Sequence, residues 1–101
     1  MSDNVKVMAS AKVGRSGTAR HIVQFTIWIY PDRYSISDGT VICGARRMGS
    51  GSHSFTLDPE DANCERCLNN WYIMKRAEEF PEASTIVEFK HGRLSVKEGA
   101  L

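Results

Sequence analysis

The chain has 101 residues, of which 42% are hydrophobic and 25% charged, and its formal net charge is +1. These values exclude wholesale disorder and the large positive charge of a dedicated nucleic-acid-binding protein, and they predict one domain over residues 1–101. No apolar run approaches the length of a membrane span, and the first residues lack the hydrophobic stretch of a secretory signal. We therefore expect a cytoplasmic protein without a membrane partner.

The charge is divided unevenly along the chain. Residues 1–53 carry seven Lys or Arg against three Asp or Glu, whereas residues 54–101 carry six against nine. This division fits either an ordinary mixed surface or a basic sheet face that meets an acidic partner.

Three strands are predicted in the first half of the chain. A first strand is expected within Val5–Val13, and the Gly-Ser turn at residues 14–18 follows it. A second, rich in β-branched and aromatic residues, runs from His21 to Tyr30, with alternate residues on opposite faces. The third, Thr40–Ala45, is short and carries Cys43.

One long helix is predicted in the second half. Asp58 before Pro59 is a strong helix-start signal, and Asn63 directly before Cys64 is an alternative start. From either start the helix reaches about Phe80 and stops at Pro81. The helical repeat places one apolar group on a shared face and a second group on the opposite face; the first comprises Cys64, Cys67, Leu68, Trp71 and Met74, and the second Ile73, Ala77 and Phe80.

The C-terminal segment predicts a β-hairpin. A two-residue turn at His91-Gly92 would pair Phe89 with Leu94 and Val87 with Val96, with all four side chains on one face. The predicted fold class is therefore α+β: a small antiparallel sheet of four or five strands with one long helix packed on it.

The cysteines give the most specific chemical signal in the chain. Cys64 and Cys67 form a Cys-x-x-Cys pair, and Cys43 lies 21 positions before Cys64. With His53 between them, they form the pattern Cys43-x9-His53-x10-Cys64-x2-Cys67, which has the four sulfur and nitrogen donors of a tetrahedral zinc site. A zinc ion bound there would be structural, stapling a strand to the helix.

The fourth donor has alternatives, and so does the use of the thiols. His21 would reach the site if the strand order places it beside Cys43, Asp58 and Asp61 are candidate oxygen donors, and His91 is expected in an exposed turn. The three thiols could instead be free core residues, or Cys64 and Cys67 a redox pair. No apolar strand leads directly into Cys64, which argues against the redox reading.

A resemblance is carried by Val41-Ile42-Cys43-Gly44 together with the segment from Asp58-Pro59 to Cys64-Glu65-Arg66-Cys67-Leu68. These residues resemble zinc-binding modules in small uncharacterised actinobacterial and phage proteins. The resemblance implies zinc and a phage or accessory-gene origin, and it implies no activity. Those modules often have a histidine where this chain has Val41, so the resemblance assigns no fourth ligand.

Enzyme motifs are not evident. The chain has no P-loop, no Gly-x-Gly-x-x-Gly and no His-x-Glu before the Cys-x-x-Cys, so we expect a non-enzymatic protein. The first hypothesis is a protein-interaction or regulatory module, such as a phage-type inhibitor or adaptor of a host macromolecule, binding through aromatics that include Trp28 and Tyr30. The alternative is a nucleic-acid-binding zinc protein that uses Arg46 and Arg47, with these aromatics stacking on bases.

Overall fold

The computed structural model describes residues 3–12, 20–37, 39–44, 46–47, 55–90 and 93–99. Within these ranges the chain forms eight strands, two α-helices and one 3₁₀ helix, and the α+β class predicted from sequence is confirmed. The elements in chain order are β1 Asp3–Lys12, β2 Arg20–Ile29, β3 Tyr34–Ile36, β4 Thr40–Val41, β5 Arg46–Arg47, β6 Phe55–Thr56, the 3₁₀ helix Pro59–Asp61, α1 Glu65–Ala77, α2 Ala83–Ile86, β7 Val87–Lys90 and β8 Arg93–Val96.

The core of the fold is the antiparallel pair β1 and β2. Each strand has ten residues, and their register joins Asp3 to Ile29 and Lys12 to Arg20. Because paired residues share a face, one face of this ribbon carries an apolar series with little or no solvent exposure: Val7, Ala9, Ala11, Val23, Phe25 and Ile27. The opposite face is also buried where Met8, Ser10 and Ile22 lie.

Within the described residues the main sheet is antiparallel, as predicted, and has six strands, of which β4, β5 and β6 have only two residues each. Its order is β5-β4-β2-β1-β6, and β3 also pairs with β2. Both β3 and β4 lie along one edge of β2, β3 beside Ile27–Ile29 and β4 beside residues 23–24. The third predicted strand is shorter than expected: β4 ends at Val41, and Cys43 lies in the turn that follows it.

The helical region is divided at its start. Asp58 caps the 3₁₀ helix, because its side chain accepts a hydrogen bond from the Glu60 backbone N–H. The long helix α1 begins afterwards, with Cys64 as its N-cap residue, and ends at Ala77 rather than near Phe80. Among the described residues, no helix is both long and apolar enough to cross a membrane.

The two apolar faces predicted for the helix have different outcomes. The first is confirmed: Cys67 and Trp71 are buried, and Cys64, Leu68 and Met74 pack against the core. Ile73, on the second face, is 63% exposed. Phe80 lies beyond the end of the helix, and its ring packs on Trp71 with the ring centroids 5.4 Å apart, so its assignment to the opposite face was wrong.

The C-terminal hairpin has the predicted register. Phe89 pairs with Leu94 and Val87 with Val96, as the alternation of apolar residues required. This hairpin forms a separate two-stranded sheet, and its predicted turn at His91-Gly92 lies outside the described residues.

Gly39 allows the chain to approach the central ribbon closely just before β4. A Cβ atom at this position would overlap Val23 Cγ1 and lie 2.9 Å from Phe25 Cε1. Both neighbours are buried, so neither side chain can move aside freely. The absence of a side chain at residue 39 therefore helps to place β4, and the turn with Cys43, against β2.

We expect Gly39→Ala to lower the free energy of unfolding by about 1–3 kcal/mol, because the added methyl group overpacks this contact. Urea unfolding checks this value, with Asp32→Ala as the control. Asp32 is exposed, and its substitution should change stability by no more than about 0.5 kcal/mol. Equal stability of the Gly39 variant and the parent would contradict the role given to this glycine.

Candidate metal centre

Four side chains from three parts of the chain converge at one end of β2. They are His21, Cys43, Cys64 and Cys67, and their candidate ligand atoms all lie within 4.8 Å of one another. Cys67 is fully buried, and the other three are partly buried. Three sulfurs and one imidazole nitrogen so close together can bind a metal ion.

The pairing of β2 with β4 brings His21 and Cys43 together. Val41 pairs with Val23, and beyond the end of β4 the Ile42 N–H still donates to the Ile22 carbonyl at 3.1 Å. Continuing this antiparallel register by one residue carries Cys43 alongside His21. The backbone pairing of β2 and β4 therefore places the Cys43 sulfur close to the His21 imidazole.

The start of α1 is attached to the start of β2. The Arg20 carbonyl accepts hydrogen bonds from the backbone N–H groups of Asn63 and Cys64, at 3.1 and 3.2 Å. In return, the Asn63 side-chain oxygen accepts from the Arg20 N–H at 2.8 Å. Asn63 therefore fastens the helix start to the sheet rather than capping the helix, and it holds Cys64 next to the residue that precedes His21.

The first turns of α1 also contact the turn that carries Cys43. The Asn70 side-chain amide donates to the Ile42 carbonyl at 3.1 Å, and the Cys67 thiol lies 4.0 Å from the Ile22 carbonyl. Cys64 and Cys67 are three residues apart at the helix start, so their sulfurs project on the same side of the helix. The Cys-x-x-Cys pair thus faces the strand ends that provide the other two donors.

His21 Nδ1 lies close to two of the three sulfurs. It lies 3.6 Å from Cys43 Sγ and 3.7 Å from Cys67 Sγ. A tetrahedral metal with bonds of about 2.3 Å to sulfur and about 2.0–2.1 Å to nitrogen separates these two donors by about 3.6 Å. These two spacings are therefore close to the donor–donor distance in a tetrahedral site.

The two thiols of the Cys-x-x-Cys pair differ in acidity. Burial, together with a smaller contribution from the neighbouring Cys43 and Cys64 thiols, raises the pKa of the Cys67 thiol from 9.0 to about 12. Partial burial also acts to raise the pKa of Cys64, but hydrogen bonds from the Cys67 backbone and side chain, from Cys43 and from the Arg66 backbone outweigh it and lower that pKa. Cys64 at the helix N-terminus is thus the more readily ionised of the two.

The structure brings the three predicted cysteines together and places His21 beside them as the fourth donor. His53, the first choice from sequence, lies outside the described residues, as does His91. Asp58 is used as the cap of the 3₁₀ helix, and neither it nor Asp61 belongs to the cluster. The three thiols are not in disulfides. The element before Cys64 is a 3₁₀ helix rather than the strand that a redox Cys-x-x-Cys motif would follow, so the redox alternative is not favoured.

The predicted partner-binding residues lie elsewhere in the sheet. Arg46 and Arg47 pair with β4 through their backbone, and their side chains lie outside what the structure describes. Trp28 and Tyr30 are 37% and 36% exposed, at the end of β2 away from the cluster, and the Arg33 guanidinium lies 5.1 Å from the centre of the Tyr30 ring.

Comparisons of this chain with models of protein families, with curated proteins and with solved structures find no match.

The fourth donor can be identified with two matched histidine variants. We expect His21→Ala to lower the affinity for Zn²⁺ or Co²⁺ by at least about tenfold, since the loss of a ligand should exceed the loss of a group that only orients one. His53→Ala serves as the control and should bind as the parent does. A competition titration against a chromogenic chelator measures both. The opposite ranking of the two variants would contradict the assignment of His21.

Proposed function

We propose that the protein is a non-enzymatic zinc-binding domain in which one structural Zn²⁺ joins α1 to the sheet, and whose surface binds another protein. The observation that carries the proposal is the cluster of His21, Cys43, Cys64 and Cys67 within 4.8 Å. Its donors come from the start of β2, from the turn after β4 and from the start of α1. A metal bound to all four would therefore connect elements that are distant in sequence.

The donor chemistry favours zinc. Three thiolates and an imidazole are a common ligand set of structural zinc, whereas magnesium and calcium require oxygen donors, and this cluster contains no carboxylate. Soft thiolates also suit zinc better than the harder divalent cations. The spacings of 3.6 and 3.7 Å around His21 Nδ1 further support a tetrahedral ion.

The number of protein donors supports a structural role for the metal. Zinc in structural sites has four protein ligands, while catalytic zinc sites usually have three and keep one position for water or substrate. Four donors from this chain would fill the tetrahedron and leave no position at which a substrate could be activated. The metal would then act on stability, and the function of the domain would depend on what its surface binds.

The surface offers aromatic side chains for such binding. Trp28, Tyr30 and Tyr34 are 37%, 36% and 46% exposed, and all three lie at or beside the end of β2 that is remote from the metal cluster. Aromatic residues are enriched in protein interfaces, because they bury a large area with few rotatable bonds. We therefore place the domain among adaptors or inhibitors that act through protein–protein contacts.

A structural zinc should dominate the stability of a domain of this size. Apparent binding free energies of structural zinc in small peptides are about 10–16 kcal/mol at neutral pH. A domain near 100 residues is stabilised by only about 5–15 kcal/mol in total. Even a partial contribution from the metal would then be a large fraction of the whole.

We expect the purified protein to contain one zinc per chain, and its melting temperature to fall by at least about 10 °C when a chelator removes the metal. Elemental analysis and thermal melting measure the two quantities. Returning Zn²⁺ should restore the melting temperature, while Mg²⁺, as the control, should not. Protein that contains no metal and melts identically with and without chelator would contradict the proposal.

A further inference from the structure

A second concave site lies on the side of α1 that faces the 3₁₀ helix, and the metal cluster does not use it. Its volume is about 400 Å³, within the usual range of about 300–1,000 Å³ for ligand pockets. Four segments form its walls: β1 through Met8, residues 57–60, the middle of α1, and residues 80–84. No metal-cluster residue lines it, so the two sites can be tested separately.

Aromatic and other apolar side chains share the lining of the cavity with polar ones. Trp71 and Phe80 lie with their ring centroids 5.4 Å apart and their planes at 50°. The other apolar lining residues are Met8, Leu57, Pro59, Pro81 and Ala83. The Trp71 side chain is held firmly, since the residue is only 6% exposed. A rigid indole face is the strongest cation-binding surface among the side chains.

The rim of the cavity is acidic. Asp58, Glu60 and Glu82 line it, and Lys75 is the basic residue among the lining side chains. The stretch of sequence that supplies this rim is acidic as a whole, since residues 58–82 carry seven acidic side chains against three basic ones, a net charge of −4. An anionic ligand such as a nucleic acid would be repelled here, whereas a basic segment would be attracted.

Lys75 shows how the cavity holds a cation. Its ammonium lies 5.4 Å from the centre of the Trp71 ring and 5.8 Å from that of Tyr72, and it is 3.5 Å from a Glu60 carboxylate oxygen. The ion pair is weak, because both side chains are more than 40% exposed. The Lys75 side chain can therefore leave the indole face at little cost and free the place that its ammonium occupies beside the ring and the carboxylate.

We propose that this cavity binds a basic, partly apolar segment of a partner protein, with a Lys or Arg side chain of that segment displacing Lys75 from Trp71 and Glu60. The apolar parts of the segment would contact the aromatic lining, and further basic residues would meet the acidic rim. This inference rests on the proposed function, that the domain binds another protein, and adds to the exposed aromatics near the end of β2 a second surface with a stated partner chemistry.

The test uses the zinc-loaded protein carrying Trp28→Phe, so that Trp71 is the sole tryptophan and reports binding by its fluorescence. The probe is a capped pentapeptide that alternates lysine with leucine, and the control probe replaces each lysine with glutamate. We expect a saturable change with the lysine peptide, weakened by salt, and none with the glutamate peptide.

Three charge variants separate a specific site from bulk attraction. Glu82→Gln should weaken binding about two- to fivefold, and Lys75→Gln should strengthen it by a similar factor, because the competing ammonium is gone. The control Glu88→Gln removes an equal charge from β7, away from the cavity, and should leave the affinity unchanged.

Three results would overturn the inference: no binding of the lysine peptide, weaker binding after Lys75→Gln, or equal effects of Glu82→Gln and Glu88→Gln. Zinc content and melting temperature are measured on each preparation. Zinc-loaded, folded protein that does not bind the peptide would contradict this inference alone. Protein without zinc would contradict the proposed function instead.

Discussion

The attachment of the start of α1 to the start of β2 is the constraint on which the candidate metal centre depends. The Arg20 carbonyl accepts from the N–H groups of Asn63 and Cys64, and the Arg20 N–H donates to the Asn63 side chain. These bonds bring the Cys-x-x-Cys pair to the residue next to His21, across more than forty positions of sequence. Together with the Asn70 bond to the Ile42 carbonyl, they hold the helix sulfurs beside the strand donors.

The sheet register supplies the other half of the site. Pairing of Val41 with Val23 aligns the turn that carries Cys43, and Gly39 permits β4 to approach the ribbon. Backbone hydrogen bonds therefore set the positions of the donors, so a metal ion would meet groups already close together and would pay little for ordering them. Such an ion would connect three elements: β2, the turn after β4, and α1.

Much of the fold follows from local sequence patterns, and the exceptions have identifiable causes. The hairpin of β7 and β8 could be predicted because its apolar alternation allows one consistent register. The end of α1 could not, since Phe80 continues the apolar pattern while packing on Trp71 from beyond the helix. The helical repeat indicates which residues are expected to be buried. A residue just beyond the end of the helix can fit the same repeat.

The candidate site shows the same division between local and non-local information. The spacing of Cys64 and Cys67 at a helix start is local, and it was sufficient to predict their shared orientation. The fourth donor depends on which strands are neighbours, and sequence proximity favoured His53 because it lies between the cysteines. The pairing of β2 with β4 brings His21 to the cluster, and the alternative named from sequence, His21 beside Cys43, is the arrangement that the structure has.

X-ray absorption spectroscopy of the purified protein tests the central claim most directly, because it reports the element bound and its first coordination shell without any substitution. The account predicts a zinc edge, with three sulfur neighbours at about 2.3 Å and one nitrogen at about 2.0–2.1 Å. A shell of oxygen and nitrogen alone, fewer than three sulfurs, or no zinc edge from folded protein would contradict it.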